Sequence, residues 1–265
     1  PIVVITTIIG VFFDKVGNVG QRFIRKGQEN MVDFHTHILP GIDRGATANA
    51  KASVELLEKS LTMGFSDVVL TPRFNANKES LSDFLARRER SARELLSAVN
   101  GKAIPELHLG AEVYLCPALF HNRNLRELTV NGEGKFMLVE LPDEDFLSVG
   151  IVSMLERLAF SRRITPVIAH MEDHPFLMEE SSLLELLDMG CTAQMSYTAF
   201  NKFFTRRKLK KFIRYGYVSV LGSDVQGTEG YFEEISKSLT HLNVELGEKF
   251  VKELNDYTRK TMLCS

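Results

Sequence analysis

The stretch MVDFHTHILPGID at residues 31–43 joins a short apolar run to two histidines that are two residues apart. Side chains alternate along an extended segment, so His35 and His37 point to the same side and can reach one metal ion. Histidines with this spacing also occur without a metal. The stretch therefore predicts a buried strand with a candidate metal site at its carboxyl end.

Outward from this stretch, short runs rich in β-branched residues alternate with longer segments of helical period. This alternation is typical of βα units repeated around a parallel sheet. The expected strands are 31–35, 67–71, 107–113, 136–141, 166–170, 192–196 and 218–222. The expected helices are 48–63, 80–99, 149–161, 181–189, 206–215, 231–242 and 245–262. We expect an α/β fold with seven parallel strands, one fewer than the common eight-stranded barrel.

The composition is that of an ordinary globular protein. The chain has 265 residues, of which 44% are hydrophobic and 25% charged, and a formal net charge of -2. No basic face indicates a nucleic-acid partner. The cysteines Cys116, Cys191 and Cys264 form no CxxC pair and begin no Cys-x5-Arg loop, which argues against a thiol-based phosphatase. Reduced thiols favour a cytoplasmic location.

The first 30 residues differ in composition from the rest. The apolar run PIVVITTIIGVFF at residues 1–13 is too short to span a bilayer, which takes about 20 residues. It lacks a preceding basic region, so a signal peptide is not favoured. We expect residues 1–30 to be an extension and residues 31–265 to form a single domain. The alternative is that the extension adds an edge strand to the sheet.

Residues that can bind metals fall at the ends of the expected strands. The carboxyl ends of parallel strands in a β/α barrel open onto one face, so side chains distant in sequence meet there. Taken singly, a strand-end glutamate such as Glu140 is more often a salt-bridge partner than a ligand. The combined pattern predicts a six-ligand metal site made of His35, His37, Glu112, Glu140, His170 and Asp224.

This mixture of imidazole and carboxylate suits zinc, manganese or iron. A bridging carboxylate allows two cations to lie about 3.5 to 4 Å apart and to clamp the attacking and leaving oxygens of a phosphoester. The other histidines, His108, His121, His174 and His241, have no strand-end placement and are expected in surface or capping positions, although His174 is close to His170. The pattern thus favours a metal-dependent phosphoester hydrolase.

The motifs resemble the polymerase and histidinol phosphatase (PHP) family. Within it they resemble the manganese-dependent protein-tyrosine phosphatases of bacterial capsule and exopolysaccharide synthesis. The resemblance runs from residue 31 to about residue 231, and HTHILPGID at 35–43 is its most specific part. The shorter motifs follow in the family's order: TP at 71–72, GAEV at 110–113, LVELP at 138–142, IAH at 168–170 and GSD at 222–224.

The resemblance implies a PHP fold, a distorted seven-stranded (β/α)7 TIM-like barrel, and two sites for divalent metals, Mn²⁺ first, with Zn²⁺ or Fe²⁺ as alternatives. It places His35, His37, Glu112 and Asp224 on the first metal. It places Glu112, Glu140 and His170 on the second, so that Glu112 is the bridge.

A third metal site of the family is expected to be lost here. The resemblance assigns Asp43 to it as a remnant ligand, but Arg73 and Gln226 stand where the family has histidines, and Arg44 follows Asp43 in place of an acidic residue. Guanidinium groups repel a cation and donate bidentate hydrogen bonds to phosphate oxygens. We therefore expect Arg44 or Arg73 to contact the substrate phosphate.

Two further departures concern the substrate. The family's phosphate-binding arginines are replaced by Asp173 and Tyr231. A carboxylate near a desolvated phosphate is unfavourable. This opens the alternative of a weakly active or inactive protein that serves as a scaffold.

The first interpretation is an enzyme that hydrolyses phosphotyrosine on a cytoplasmic kinase tail in polysaccharide synthesis, by attack of a metal-bound hydroxide. Glu112, Asp224, Arg73 and Arg44 are the expected catalytic residues. A small-molecule phosphoesterase with the same site is the second interpretation, and the scaffold is the third. Oligomerisation with further copies is left open, and no nucleic-acid partner or membrane span is expected.

A basic run lies between Lys202 and Lys211. Such a run is usually a solvated helix face. Its position after the sixth strand also makes it a candidate surface for steering an acidic substrate toward the site.

Overall fold

The computed structural model describes residues 30–43, 49–226 and 230–263. The expected extension therefore lies, except for residue 30, outside the described residues, as does Arg44. No helix within the described part of the chain is long and apolar enough to cross a membrane.

Within the described residues the strands are all parallel and form two sheets. One sheet has the order β1-β2-β4 and the other the order β3-β5-β6-β7-β8-β9. Their bounds are β1 Met31–Thr36, β2 Phe65–Leu70, β3 Arg73–Phe74, β4 Glu106–Leu109, β5 Glu112–Tyr114, β6 Phe136–Glu140, β7 Thr165–Ile168, β8 Thr192–Ser196 and β9 Val218–Gly222. The expectation of a parallel α/β fold is confirmed.

The expected count of seven strands is wrong for the described residues, which form nine. The extra two arise because the chain interrupts its ladder at Thr71–Pro72, where proline has no N–H, and again at Gly110–Ala111. Single backbone hydrogen bonds continue across these breaks: Gly110 N donates to the Leu70 oxygen at 2.9 Å and Glu112 N to the Pro72 oxygen at 3.1 Å. A prediction based on runs of apolar residues does not detect such interruptions, so it counts each interrupted strand once.

The edge strands β1 and β9 meet at their carboxyl ends. Asp224 N donates to the His35 oxygen at 2.7 Å, and His37 N donates to the Val225 oxygen at 2.9 Å. Gly222 permits this approach, because a Cβ there would lie only 2.6 Å from the Cβ of His35. Ligand candidates that are almost 190 residues apart in sequence are thereby held side by side.

The helices separate the strands as expected, with ends that differ by a few residues. They are α1 Ala50–Thr62, α2 Leu81–Val99, α3 Val149–Glu156, α4 Glu180–Asp188, α5 Phe203–Arg214, α6 Tyr231–Leu246 and α7 Glu248–Thr258. Helix α2 begins at an N-cap, where Ser80 Oγ accepts a hydrogen bond from Asp83 N at 3.2 Å. The core packs the apolar helix faces against buried strand residues such as Val113 and Val139.

The carboxyl-terminal helix is fastened to the first sheet by polar contacts. Arg259 Nε donates to Asp67 Oδ2 at 2.8 Å, and Asn255 Oδ1 accepts from Val32 N at 2.8 Å. His108 Nε2 lies 3.4 Å from Asp67 Oδ1. Burial alone would raise the pKa of Asp67, but hydrogen bonds from His108 and Ser66 and the charge of Arg259 leave it below its usual value.

Candidate metal centre

The six predicted ligands come together at one end of the sheet. Five lie at or just beyond the carboxyl ends of β1, β6, β7 and β9, and Glu112 lies three residues beyond that of β4. They form two groups, and within each group one donor atom per residue lies within 4.8 Å of the others: His35, His37 and Asp224 in the first; Glu112, Glu140 and His170 in the second. Glu112 is the first residue of β5 and Glu140 the last residue of β6, while His170 and Asp224 follow β7 and β9 by two residues.

The first group directs its nitrogen and oxygen atoms at a common point. The Nε2 atoms of His35 and His37 are 3.0 Å apart. Asp224 Oδ1 lies 3.1 Å from His37 Nε2 and 3.6 Å from His35 Nε2. Two imidazole nitrogens at this distance share at most one proton, and a cation between such donors would remove their repulsion.

Glu112 faces both groups. Its Oε1 lies 3.2 Å from His35 Nε2 and 3.1 Å from His170 Nε2. Its Oε2 lies 3.3 Å from His37 Nε2. This second oxygen is buried and makes no contact with hydrogen-bond geometry, although the Arg73 guanidinium lies beside it, with Nε 3.0 Å away. The arrangement therefore fits a carboxylate that bridges two cations.

The ring nitrogens that face away from the centre are fixed by neighbouring acceptors. His37 Nδ1 lies 2.9 Å from Asp43 Oδ2, and His35 Nδ1 lies 3.4 Å from Gln194 Oε1. Gln194 Oε1 also accepts from His170 N at 2.7 Å. A proton on each Nδ1 leaves Nε2 as the ligand atom, which is how second partners orient metal-binding histidines.

The electrostatics of the centre show an excess of negative charge. Burial would lower the pKa of His37, but hydrogen bonds to Asp224, Asp43 and Glu112 raise it well above its usual range. The same balance, with Glu112 as the main partner, raises the pKa of His170 to about 9. The raised pKa values show that the surrounding carboxylates favour positive charge on His37 and His170. Divalent cations would supply this positive charge, and the set of imidazole and carboxylate donors fits such cations.

Two of the ligand candidates have left-handed backbone conformations. The φ angle is 30° at His170 and 53° at Asp224. Non-glycine residues adopt this region at a cost of about 1 kcal/mol or more, and such residues cluster at functional sites. Backbone contacts hold both, since Asp224 N is bonded to the His35 oxygen and His170 N to Gln194.

Comparison with known proteins agrees with this geometry. The family model described as "Capsular polysaccharide synthesis, CpsB/CapC" matches residues 31–263. The chain belongs to this family. The match confirms the resemblance stated from the motifs and extends it beyond residue 231 to the last turn of the described chain.

Individual relatives of this CpsB/CapC protein carry phosphatase names. The chain is 27% identical over 175 residues to the tyrosine-protein phosphatase YwqE of Bacillus subtilis; the alignment covers 63% of this chain but only 64% of that relative. One solved chain, described under the crystal structures of YwqE from Bacillus subtilis and CpsB from Streptococcus pneumoniae as unique metal-dependent tyrosine phosphatases, matches at a TM-score of 0.72 and 19% identity, covering 88% of this chain and 94% of that one.

A histidinol phosphate phosphatase from Lactococcus lactis, solved with zinc, L-histidinol and phosphate, matches at a TM-score of 0.50 and 14% identity over 82% of this chain and 94% of that one. At these identities, the structural matches establish a shared fold.

The CpsB/CapC chain places an arginine at the ligand cluster. Arg73 Nε lies 3.0 Å from Glu112 Oε2, and Arg73 Nη2 lies 3.6 Å from Asp224 Oδ1. Asp43, the expected remnant of a third metal site, accepts from Arg73 N at 3.1 Å as well as contacting His37. Gln226 Nε2 donates to Asp224 Oδ1 at 3.4 Å. The carboxylate of Asp43 thus contacts the ring of His37 and the backbone N–H of Arg73.

The two residues expected to disturb phosphate binding differ in position. The Asp173 side chain is 59% exposed, and its oxygens lie 3.9 Å from His170 Nδ1 and 3.9 Å from Lys202 Nζ. Tyr231 begins α6, where burial and then the charge of Asp224 raise its phenol pKa. Asp173 therefore lies at the rim with a cation beside it, while Tyr231 lies among the acidic groups.

The placement of the remaining histidines corrects one expectation. His108 is buried within β4 and lies at neither the surface nor a cap, whereas His174 is buried but occupies the N-cap position of the short 3₁₀ helix Pro175–Met178. His108 is held between Asp67 and Asn131, whereas His174 stacks at 6.2 Å from His170 and its Nε2 has no hydrogen-bond partner within the described part of the chain. Burial and the charge of His170 lower the pKa of His174, which favours its neutral ring.

Two residues near the centre were missed by sequence reasoning. Gln194 lies in the interior of β8, and its position as a polar residue within an otherwise buried run was the available signal. Asp33 Oδ1 accepts from Ser223 N at 2.7 Å and ties β1 to the loop that carries Asp224. Burial raises its pKa to about 6.

Proposed function

We propose that this chain is a metal-dependent phosphoester hydrolase that removes phosphate from a tyrosine of a protein segment, such as a kinase tail, in polysaccharide synthesis. The observation that carries the proposal is the position of Glu112, whose two oxygens face both groups of candidate ligands. The family and the phosphatase names of its relatives support the same reaction. We place the reaction in the cytoplasm because the cysteines suit a reducing compartment.

The first group, His35, His37 and Asp224, would hold one divalent cation, and Glu140 with His170 would hold the other, with Glu112 shared. Mn²⁺ is the proposed ion, with Zn²⁺ and Fe²⁺ as alternatives of similar ligand preference. When bound, such a pair supplies Lewis-acid stabilisation of the phosphoryl charge and a water that is nucleophilic at neutral pH.

The residues of the chain prepare this centre in three ways. Asp43 and Gln194 hold the two histidines of β1 in one ring orientation. Arg73, with its side chain 35% exposed, offers a guanidinium to the substrate side of Glu112 and would bind the phosphate oxygens. Arg44 is proposed as a second phosphate contact from the segment that follows Asp43.

We also propose that the two sheets are one distorted seven-stranded (β/α)7 barrel within a single domain at residues 31–265, preceded by an extension at 1–30. In support, β2 with β3 and β4 with β5 are each one strand with a short break. The bridge between Thr36 and Val225 supports closure between the first and last strands.

The scaffold remains a second candidate because of one observation. The Arg73 guanidinium lies within 4 Å of both Glu112 and Asp224, so a fixed cation already offsets part of the negative charge of the centre. A protein of this kind would keep its shape without metals and would act by binding a partner.

The deciding experiment combines elemental analysis of the purified protein with hydrolysis of a phosphotyrosine peptide and of p-nitrophenyl phosphate in the presence of Mn²⁺. Glu112→Ala removes the shared ligand, and we expect a loss of activity of at least about a hundredfold together with loss of bound metal. Glu253→Ala, at an exposed carboxylate on α7, is the matched control and should retain both.

Two metals per chain and Glu112-dependent turnover of the peptide would support the proposal. Turnover of p-nitrophenyl phosphate alone would indicate a small-molecule phosphoesterase. A folded protein with no metal and no turnover would refute the enzyme and leave the scaffold.

A further inference from the structure

A second concave site lies at the opposite end of the strands from the metal centre. It is a cavity of about 400 Å³ formed by the segments that precede β6 and β7. Because the strands are parallel and the candidate ligands lie at their carboxyl ends, a cavity at their amino ends is separated from the centre by the length of a strand, about 15 Å. The lining residues belong to 123–126, 133–134 and 161–164.

The lining of this cavity is strongly basic. Four of its residues are arginines, against a single carboxylate at Glu133: Arg123, Arg126, Arg162 and Arg163. Within the described ranges, none of the four lies within 4 Å of a carboxylate oxygen. Four guanidinium groups gathered around one space repel each other more than a single carboxylate can offset, and an anion bound among them would relieve that repulsion.

Part of this arrangement is held in place before any ligand binds. Arg126 Nε donates to the Gly132 oxygen at 3.2 Å, which leaves its terminal nitrogens available. The arginine packs over Gly134, where a Cβ would lie 2.9 Å from Arg126 Cγ. Buried Arg88 supports the same segment from inside, since its Nη2 donates to the Glu127 oxygen at 3.0 Å. A fixed guanidinium loses little freedom on binding an anion.

We propose that this arginine cavity binds a compact anion with two linked phosphate groups, of the pyrophosphate type. Each planar guanidinium can donate two parallel hydrogen bonds to phosphate oxygens, and several such groups match a ligand with several oxygens. The volume is that of a small-molecule site. No aromatic residue lines the cavity, so recognition rests on the phosphates and not on a stacked base.

The test is titration calorimetry with inorganic pyrophosphate, without divalent cations, on Glu112→Ala, so that the metal centre cannot account for binding. We expect saturable binding that weakens as ionic strength rises. Adding Arg126→Gln and Arg163→Gln should weaken binding at least about tenfold, because charged hydrogen bonds are lost. Lys249→Gln with Lys252→Gln, which removes the same charge from exposed positions of α7, is the control and should bind pyrophosphate unchanged.

Absence of saturable binding to Glu112→Ala would overturn the proposal, and so would equal affinity in the two double variants. When Glu112 is left unchanged, the double variant Arg126→Gln/Arg163→Gln should have normal phosphatase activity. Its melting temperature checks that the fold is intact. This outcome does not depend on the hydrolase proposal, because binding is measured without turnover.

Discussion

Arg73 Nε lies 3.0 Å from Oε2 of Glu112, so a fixed positive charge contacts the carboxylate that faces both groups of candidate ligands. The same guanidinium reaches to 3.6 Å from Asp224 Oδ1. Its side chain remains 35% exposed, which leaves one face open to a substrate. An arginine in this place can balance the charge of the centre and bind phosphate, and the two roles have different kinetic consequences.

Replacing Arg73 by alanine should weaken phosphoester hydrolysis through the substrate. We expect kcat/KM to fall about tenfold to a hundredfold, since charged hydrogen bonds to phosphate are lost. Metal content should stay at the level of the unmodified protein. Arg93→Ala, at an exposed arginine paired with Glu89 on α2, is the control. Unchanged steady-state kinetics for Arg73→Ala would show that the guanidinium does not contact the phosphate.

Gln194 is expected to act through the histidines it touches. In Gln194→Met the acceptor for His35 Nδ1 and His170 N is lost with little change in volume. Loss of such a partner weakens metal binding by about tenfold to a hundredfold. Competition with a fluorescent chelator measures this affinity. Gln194→Glu keeps an acceptor oxygen and should bind metal more tightly than Gln194→Met; the reverse order would contradict the orienting role.

Metal affinity should rise with pH. In the metal-free protein the carboxylates raise the pKa of His170 to about 9, and His37 is raised as well. Below these values a proton occupies the nitrogen that must bind the cation, so binding has to release it. Mn²⁺ titrations between pH 6 and 8.5 should show tightening affinity, and calorimetry in buffers of different ionisation enthalpy should show proton release. A pH-independent affinity would exclude these histidines as ligands.

The anchor between α7 and the first sheet should contribute to global stability. Arg259→Ala removes the partner of buried Asp67 and should lower the free energy of unfolding by about 1.5 to 3 kcal/mol. Because the pKa of Asp67 is lowered in the folded state, its stabilisation is present above about pH 4 and is lost as pH falls below that value. Urea denaturation at pH 7 tests the first point, with exposed Lys260→Ala as the control. Equal stability of the two variants would refute the anchor.

The basic face of α5 should influence how fast an acidic substrate arrives. In the structure Arg206 is engaged by the Phe200 oxygen and His241, whereas Arg207 and Lys208 are exposed. Charge reversal at both exposed positions should slow association of an acidic phosphotyrosine peptide and flatten its salt dependence, without changing p-nitrophenyl phosphate hydrolysis. Lys249→Glu with Lys252→Glu on α7 controls for net charge. Identical salt dependence in both double variants would rule out steering by α5.

The sequence predicted that the six candidate ligands converge, because parallel strands bring their carboxyl ends together whatever lies between them. It did not predict the breaks at Pro72 and Gly110, which depend on how neighbouring ladders pair. The role of Gln194 was also out of reach, since its partners lie 24 and 159 residues away. The burial of His108 and His174 likewise depends on packing between segments that are distant in sequence, which a local sequence pattern does not reveal.

Because His170 and Asp224 have a left-handed backbone, selection for heat resistance alone and selection for activity should favour different residues at these two positions. Glycine would occupy both conformations without steric cost, so a library selected only for heat resistance should enrich His170→Gly and Asp224→Gly. A collection of variants that must also turn over substrate should keep the original residues. Variants that gain heat resistance through glycine at these two positions should therefore lose catalytic activity.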